Sequence, residues 1–312
     1  RRTANMSKTL SVRLFFVLLL SGIIIFLPGC AKSENSGEEP PVYSPARVLT
    51  PEAPGTQTLG SSPLVLDISN QDQGYLTAQS DSEDSRMSIQ LTTPSGVLYS
   101  YFLAPKEQAV IPFSEGSGDY VITCYQQING SQYAALYSET LTVNLENEFL
   151  PFLYPNQYVN FSAESEACTL AQSLVTEEMK DVDILKTFYN YVTSHITYDY
   201  DKANSVEAGY LPDIDETLRT GTGICFDYAA LLTAMLRSQD IPCKLEIGYS
   251  GEIKHAWIDV YIRGKGWATK AVSFDGDTWQ LMDPTFDANS DDDETIQEYI
   301  GDESNYTVQF SR

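Results

Sequence analysis

The period of the apolar residues changes near Leu150, and that change most constrains the fold. Before it, hydrophobic residues alternate in short runs at 64–68, 75–78, 87–92, 97–103, 110–113, 120–126 and 133–143. Turn chemistry separates the runs, including Pro94-Ser95-Gly96, Gly116-Ser117-Gly118 and Asn129-Gly130. Alternation bounded by such turns is the pattern of half-buried strands. Residues 64–145 therefore predict an all-β sandwich, immunoglobulin-like in layout. After Leu150 the spacing becomes helical: Leu185, Phe188, Val192 and Ile196 recur by three and four, on one face of a helix expected over about 168–195. His195 stands near the end of that helix and reads as a structural or surface histidine. Strands followed by mixed helices and strands give an α+β chain of two domains.

At 312 residues, with 42% hydrophobic content, the chain is long enough to build two cores. Its net charge of −24 repels phosphate backbones and provides no basic stripe, so nucleic acid is excluded as a natural partner. That acidity reads as a solvated surface that keeps an exported protein soluble. The tyrosines of the sandwich would serve a binding face, but half-buried tyrosine is also ordinary strand composition, and a spacer or positioning module is the preferred reading.

Residues 1–30 read as a targeting segment. Met6 reads as the start, Lys8 and Arg13 supply a positive flank, and the apolar run at 14–27 is short and closely followed by Pro28. Leu27-Pro28-Gly29-Cys30 resembles the lipobox of bacterial lipoproteins, which implies lipidation of Cys30 and anchoring to the outer face of the cell membrane. Residues 31–63, dominated by Glu, Pro, Ser, Gly and Thr, read as a disordered tether holding the folded part off the membrane.

Four cysteines remain: Cys124, Cys168, Cys225 and Cys243. Their spacings match no metal pattern and the chain has two histidines, so neither a structural metal nor a cofactor is expected. Export permits a disulfide, with no pair singled out; Cys124 and Cys243 alternate with apolar residues as buried strand cysteines do. The acidic run 287–293, with Glu298 after it, partly imitates a calcium loop, but Asp292 stands where the sharp-turn glycine belongs, and a solvated loop is the preferred reading.

The chemistry concentrates downstream. Gly221-Thr222-Gly223-Ile224-Cys225 reads as a glycine-rich turn entering a helix, which places Cys225 at the helix N-terminus. There the free N–H groups and the dipole favour a thiolate and can also donate to an oxyanion. The helix packs through Ala229, Leu232, Met235 and Leu236 and ends before Pro242. In the strand expected at 255–262, Ala256, Ile258, Val260 and Ile262 form an apolar face, leaving His255 and Trp257 on the other side. Asp283 closes a further strand before Pro284. A carboxylate beside an imidazole beside a thiol is the arrangement of a nucleophile, its base and the group that orients the base.

Gly-Ile-Cys-Phe-Asp-Tyr-Ala, Leu-Arg with Ile-Pro shortly after, His-Ala-Trp, Gly-Trp and Asp-Pro-Thr stand in one order over about 196–286 and resemble the core of the transglutaminase-like superfamily. The resemblance implies a papain-like α+β core over 146–312, with Cys225, His255 and Asp283 as a catalytic triad. Animal transglutaminases also use a tryptophan upstream of the cysteine for the oxyanion. No tryptophan precedes Cys225, and Tyr210 is read as its substitute, with Trp257 as a further substrate-binding candidate. The implied activity is thiol acyl transfer on protein or peptide amides, resolved by an amine (cross-linking) or by water (deamidation or proteolysis). The rival expectations are a surface module that keeps the fold only to bind, and an adhesive sandwich supported by its neighbour.

Overall fold

The structure, a computed structural model, describes residues 48–269 and 306–312. The predicted targeting segment with Cys30, the acidic run at 287–298 and Asp283 all lie outside those residues.

The alternating half forms β1 (Thr58–Ser61), β2 (Leu64–Asp67), β3 (Tyr75–Ser80), β4 (Met87–Thr92), β5 (Leu98–Leu103), β6 (Gln108–Pro112), β7 (Gly118–Asn129) and β8 (Gln132–Val143). They make two antiparallel sheets, in the orders β1-β2-β3-β6 and β5-β4-β7-β8. Inward residues such as Leu66, Leu76, Ile89, Tyr101, Ile111 and Ile122 fill the space between them. The Tyr120 hydroxyl donates to the Gly116 carbonyl at 2.8 Å, a tyrosine corner of the kind that immunoglobulin-type sandwiches use at the start of this strand.

Residues 48–63 differ from the tether read from composition. Thr58–Ser61 is a strand paired with β2, Gly55 N donates to Asp67 Oδ2 at 2.6 Å, and Val48 packs against the C-terminal core. Proline- and serine-rich composition carries no apolar period, yet an edge strand needs only its backbone groups to dock.

The C-terminal half contains α1 (Glu166–Leu174), α2 (Asp181–His195), β9 (Thr197–Tyr198), α3 (Tyr200–Ser205), α4 (Ile214–Thr220), β10 (Thr222–Gly223), α5 (Cys225–Arg237), β11 (Cys243–Ser250), β12 (Ile253–Ile262), β13 (Gly266–Ala268) and β14 (Tyr306–Ser311). The helix expected over 168–195 is two helices. Val175 turns to an extended conformation after α1, and α2 restarts at Asp181. The Asp181 carboxylate is held in a fork by Arg263, whose Nε donates to it at 3.0 Å and whose backbone N donates at 2.9 Å, so the second helix starts where the turn after β12 fixes it.

The second sheet has the order β13-β12-β11-β14. Helix α5 lies across it, burying Ala229, Leu232, Met235 and Leu236 against Leu245, Ala256, Ile258 and Val260. Among the described residues, all four cysteines are free thiols.

Candidate active site

The chain reaches Cys225 through a locally determined path. Gly221 adopts a left-handed conformation (φ 63°) to end α4, a geometry glycine takes without cost. The short parallel pair β9–β10 then ties the end of α2 to this turn: Thr197 N donates to Gly221 O at 2.8 Å and Asp199 N to Gly223 O at 2.9 Å. Tyr228 Oη donates to Ile196 O at 2.6 Å and fastens the same segment to the first turn of α5. Gly223 gives Asp227 its place, since a Cβ there would lie 2.7 Å from Asp227 Cβ.

Asp227, three residues after the N-cap Ile224, folds back so that its Oδ2 accepts from Ile224 N at 2.8 Å. Its carboxylate is wholly buried and also accepts from Lys202 Nζ at 2.7 Å and from Tyr210 Oη at 2.5 Å. Lys202 sits over the Tyr210 ring, 4.6 Å from its centroid. Burial, and then the Asp227 hydrogen bond, push the Tyr210 phenol well above its ordinary value. The hydroxyl read as an oxyanion donor thus places its hydrogen on the helix cap.

Cys225 is the first residue of α5 and is half-buried, beside the free N–H groups of the first helical turn. The other three thiols are unsuited to nucleophilic work. Burial pushes Cys243 to about 12 and Cys124 and Cys168 to about 11, and Cys243 shares a contact with Thr233 Oγ1.

His255 lies near the start of β12, opposite Gly248 of β11, with Trp257 two residues on. The sequence reading left this face clear of the core. In the structure it is covered, with His255 6% and Trp257 1% exposed. Among the described residues Tyr306 of β14 lies over it, its ring meeting Trp257 edge-on at 5.2 Å and lying 6.4 Å from the His255 ring. Gly248 makes the arrangement possible: a Cβ there would fall 1.9 Å from Thr307 O and 2.9 Å from the Trp257 ring. The Trp257 indole N–H is buried with no hydrogen-bond partner among the described residues.

Cys225 and His255 are therefore carried by two elements packed on each other, α5 and β12. Ala256 packs into the core that α5 buries, and the His255 ring stacks beside that of Trp257, 6.3 Å between centroids. His195, in contrast, stacks on Tyr191 at the exposed end of α2, 4.0 Å between centroids, and Nδ1 meets Tyr191 O at 2.9 Å. It stands as the structural histidine that its position predicts.

Sequence reasoning missed Lys202 and assigned Asp227 no role. The available signal for Asp227 was an acidic residue at the third position of the helix that begins with Cys225. Among the described residues no group of His, Cys, Asp and Glu is arranged to hold a metal ion, and no helix is long and apolar enough to cross a membrane.

Residues 168–284 match the model of the Transglutaminase-like superfamily. Among curated proteins, the mouse kyphoscoliosis peptidase is 27% identical over 129 residues, covering 38% of this chain and 17% of that protein. Its human counterpart is 27% identical over 137 residues, covering 40% and 19%. The chain thus spans less than a fifth of the length of these relatives. Among solved structures, the periplasmic domain of TgpA from Pseudomonas aeruginosa is 14% identical with a TM-score of 0.36, covering 78% of this chain and 98% of that one.

Proposed function

We propose, from the premise that residues 168–284 form a transglutaminase-like domain, that this protein is a cysteine acyltransferase or hydrolase acting on protein or peptide amides. The observation that carries the proposal is the placement of Cys225. It is the half-buried thiol among three deeply buried ones, and it opens a helix whose first turn is fixed by Gly223, Asp227 and Tyr228.

In this reading the Cys225 thiolate attacks the carbonyl carbon of a glutamine side chain or a peptide bond. A tetrahedral oxyanion forms, stabilised by N–H groups of the α5 N-terminus. His255, oriented by Asp283, protonates the departing nitrogen as the C–N bond breaks, leaving a thioester on Cys225. An amine acceptor then gives a cross-link and free thiol; water gives the acid. The name of the kyphoscoliosis peptidases supports hydrolysis of peptides as one outcome. The lipobox-like 27–30 supports action outside the cell, on envelope or extracellular proteins, from an anchor on Cys30.

Candidate surface proteins incubated with the wild type and with Cys225→Ala, in the presence of a primary amine, test this by mass spectrometry. Amine incorporation, deamidation or cleavage present with the wild type and lost with Cys225→Ala and His255→Ala is the expected result. Equal traces from all three proteins, or full activity in His255→Ala, would remove the reading.

A further inference from the structure

The buried carboxylate of Asp227 lies two residues after the nucleophile, on the same helical turn, and a negative charge there opposes a thiolate. It is the acceptor for three donors from three elements: Ile224 N from the turn, Lys202 Nζ from α3 and Tyr210 Oη from the loop before α4. Lys202 is the cation in this set. Its side chain is 30% exposed while that of Asp227 is fully buried, so the lysine reaches inward from the surface, over the Tyr210 ring, to meet the carboxylate. Capping requires only an acceptor for Ile224 N, which an asparagine would supply as well. A buried charge with its own cation and a phenol is more than a cap needs.

We infer that Lys202 and Tyr210 are positioning residues for Cys225: they neutralise Asp227, so the carboxylate fixes the first turn of α5 without suppressing the thiolate that opens it. The inference rests on the proposed role of Cys225. The titratable groups facing this end of α5 are Asp227 on the helix itself, Lys202 from α3, Tyr210 from the preceding loop, and Asp213 at the N-cap of α4, whose charge acts on Tyr210. Asp199, which caps α3 through Lys202 N at 2.8 Å, fixes where that lysine begins. In the proposed reaction His255 adds a partner from β12.

The test is the rate of Cys225 alkylation by iodoacetamide against pH, followed by peptide mass spectrometry. It compares wild type, Lys202→Gln, Lys202→Arg, Asp227→Asn and the double variant Lys202→Gln/Asp227→Asn. Removing the lysine alone leaves an uncompensated buried carboxylate beside the thiol, which raises the midpoint by about one pH unit and slows alkylation at pH 7 about tenfold. Lys202→Arg keeps the wild-type midpoint, and the double variant regains most of the lost rate because both charges are gone. A role in folding alone would lower the unfolding temperature of Lys202→Gln and leave the midpoint where it is, and that result overturns the inference. So does a double variant no faster than Lys202→Gln. Wild-type Cys225 reacting no faster than Cys243 would overturn the inference and the proposed function together, whereas a fast wild type with an unmoved Lys202→Gln removes the inference alone.

Discussion

Glu246 on β11 sits on the sheet face that carries Trp257 and Asp259, and it is 2% exposed. Its Oε2 accepts from Ser311 Oγ at 2.7 Å, but burial, followed by the nearby Asp259 carboxylate, pushes it up to about 8 from its ordinary 4.5. An acid whose folded value is raised stays protonated in the fold while the unfolded chain has already ionised. Its contribution is complete below about 4.5 and is lost as pH climbs toward 8. Glu246→Gln keeps an acceptor for Ser311 and cannot ionise. Urea denaturation should find it as stable as the wild type near pH 4.5 and more stable by about 1 kcal/mol or more at pH 8. Individual residues are also where the sequence spoke most clearly. Cys225 at a helix start and His195 as a structural histidine followed from local chemistry alone. The partners of Asp227 did not, because Lys202 and Tyr210 lie 25 and 17 residues away from it and meet it only through tertiary packing.

The elements divide along the same line. Strands with a full apolar alternation, such as Met87–Thr92, were legible to their ends because one buried face imposes period two. β1 was hidden in proline- and serine-rich composition, and β14 drew no reading of its own. The split between α1 and α2 leaves no glycine or proline signal between 175 and 180; it is set by Asp181 meeting Arg263, a contact across 82 residues. The second face of β12 was misread as clear of the core because its cover comes from β14 and crosses Gly248. Gly248→Ala would drive a methyl group into Thr307 O and the Trp257 ring. It should cost about 1–3 kcal/mol, the range for overpacking, in chemical denaturation. Limited proteolysis should cut the 306–311 strand earlier than in the wild type.

At the scale of the whole molecule, the described residues belong to one compact unit, and the sandwich is joined to the C-terminal half by side chains that neither could bury alone. The Arg312 guanidinium is 2% exposed and lies within 5.2 Å of four ring centroids: Tyr99 and Tyr101 of β5, Tyr158 and Phe310. Arg237, at the end of α5, donates to the carbonyls of Cys243, Tyr154 and Arg312 at 2.7 to 2.9 Å. Tyr158 in turn donates to Ser100 O at 3.2 Å and has its ring 6.2 Å from that of Phe226, the neighbour of Cys225. Residues 146–312 expressed without the sandwich should therefore show a lower unfolding temperature and exposed apolar surface, read by calorimetry and dye binding. Wild-type thermal stability in that fragment would establish the sandwich as a separable spacer.

Placing β14 more than fifty residues after β11 in chain order has a temporal meaning. While the protein is being made, β11 emerges with one edge unpaired, and the histidine face stays open to solvent until more than fifty further residues have followed. A nascent chain that stalls in that interval would hold its cysteine helix without the strand that closes the sheet, so maturation is timed to the arrival of residues 306–311.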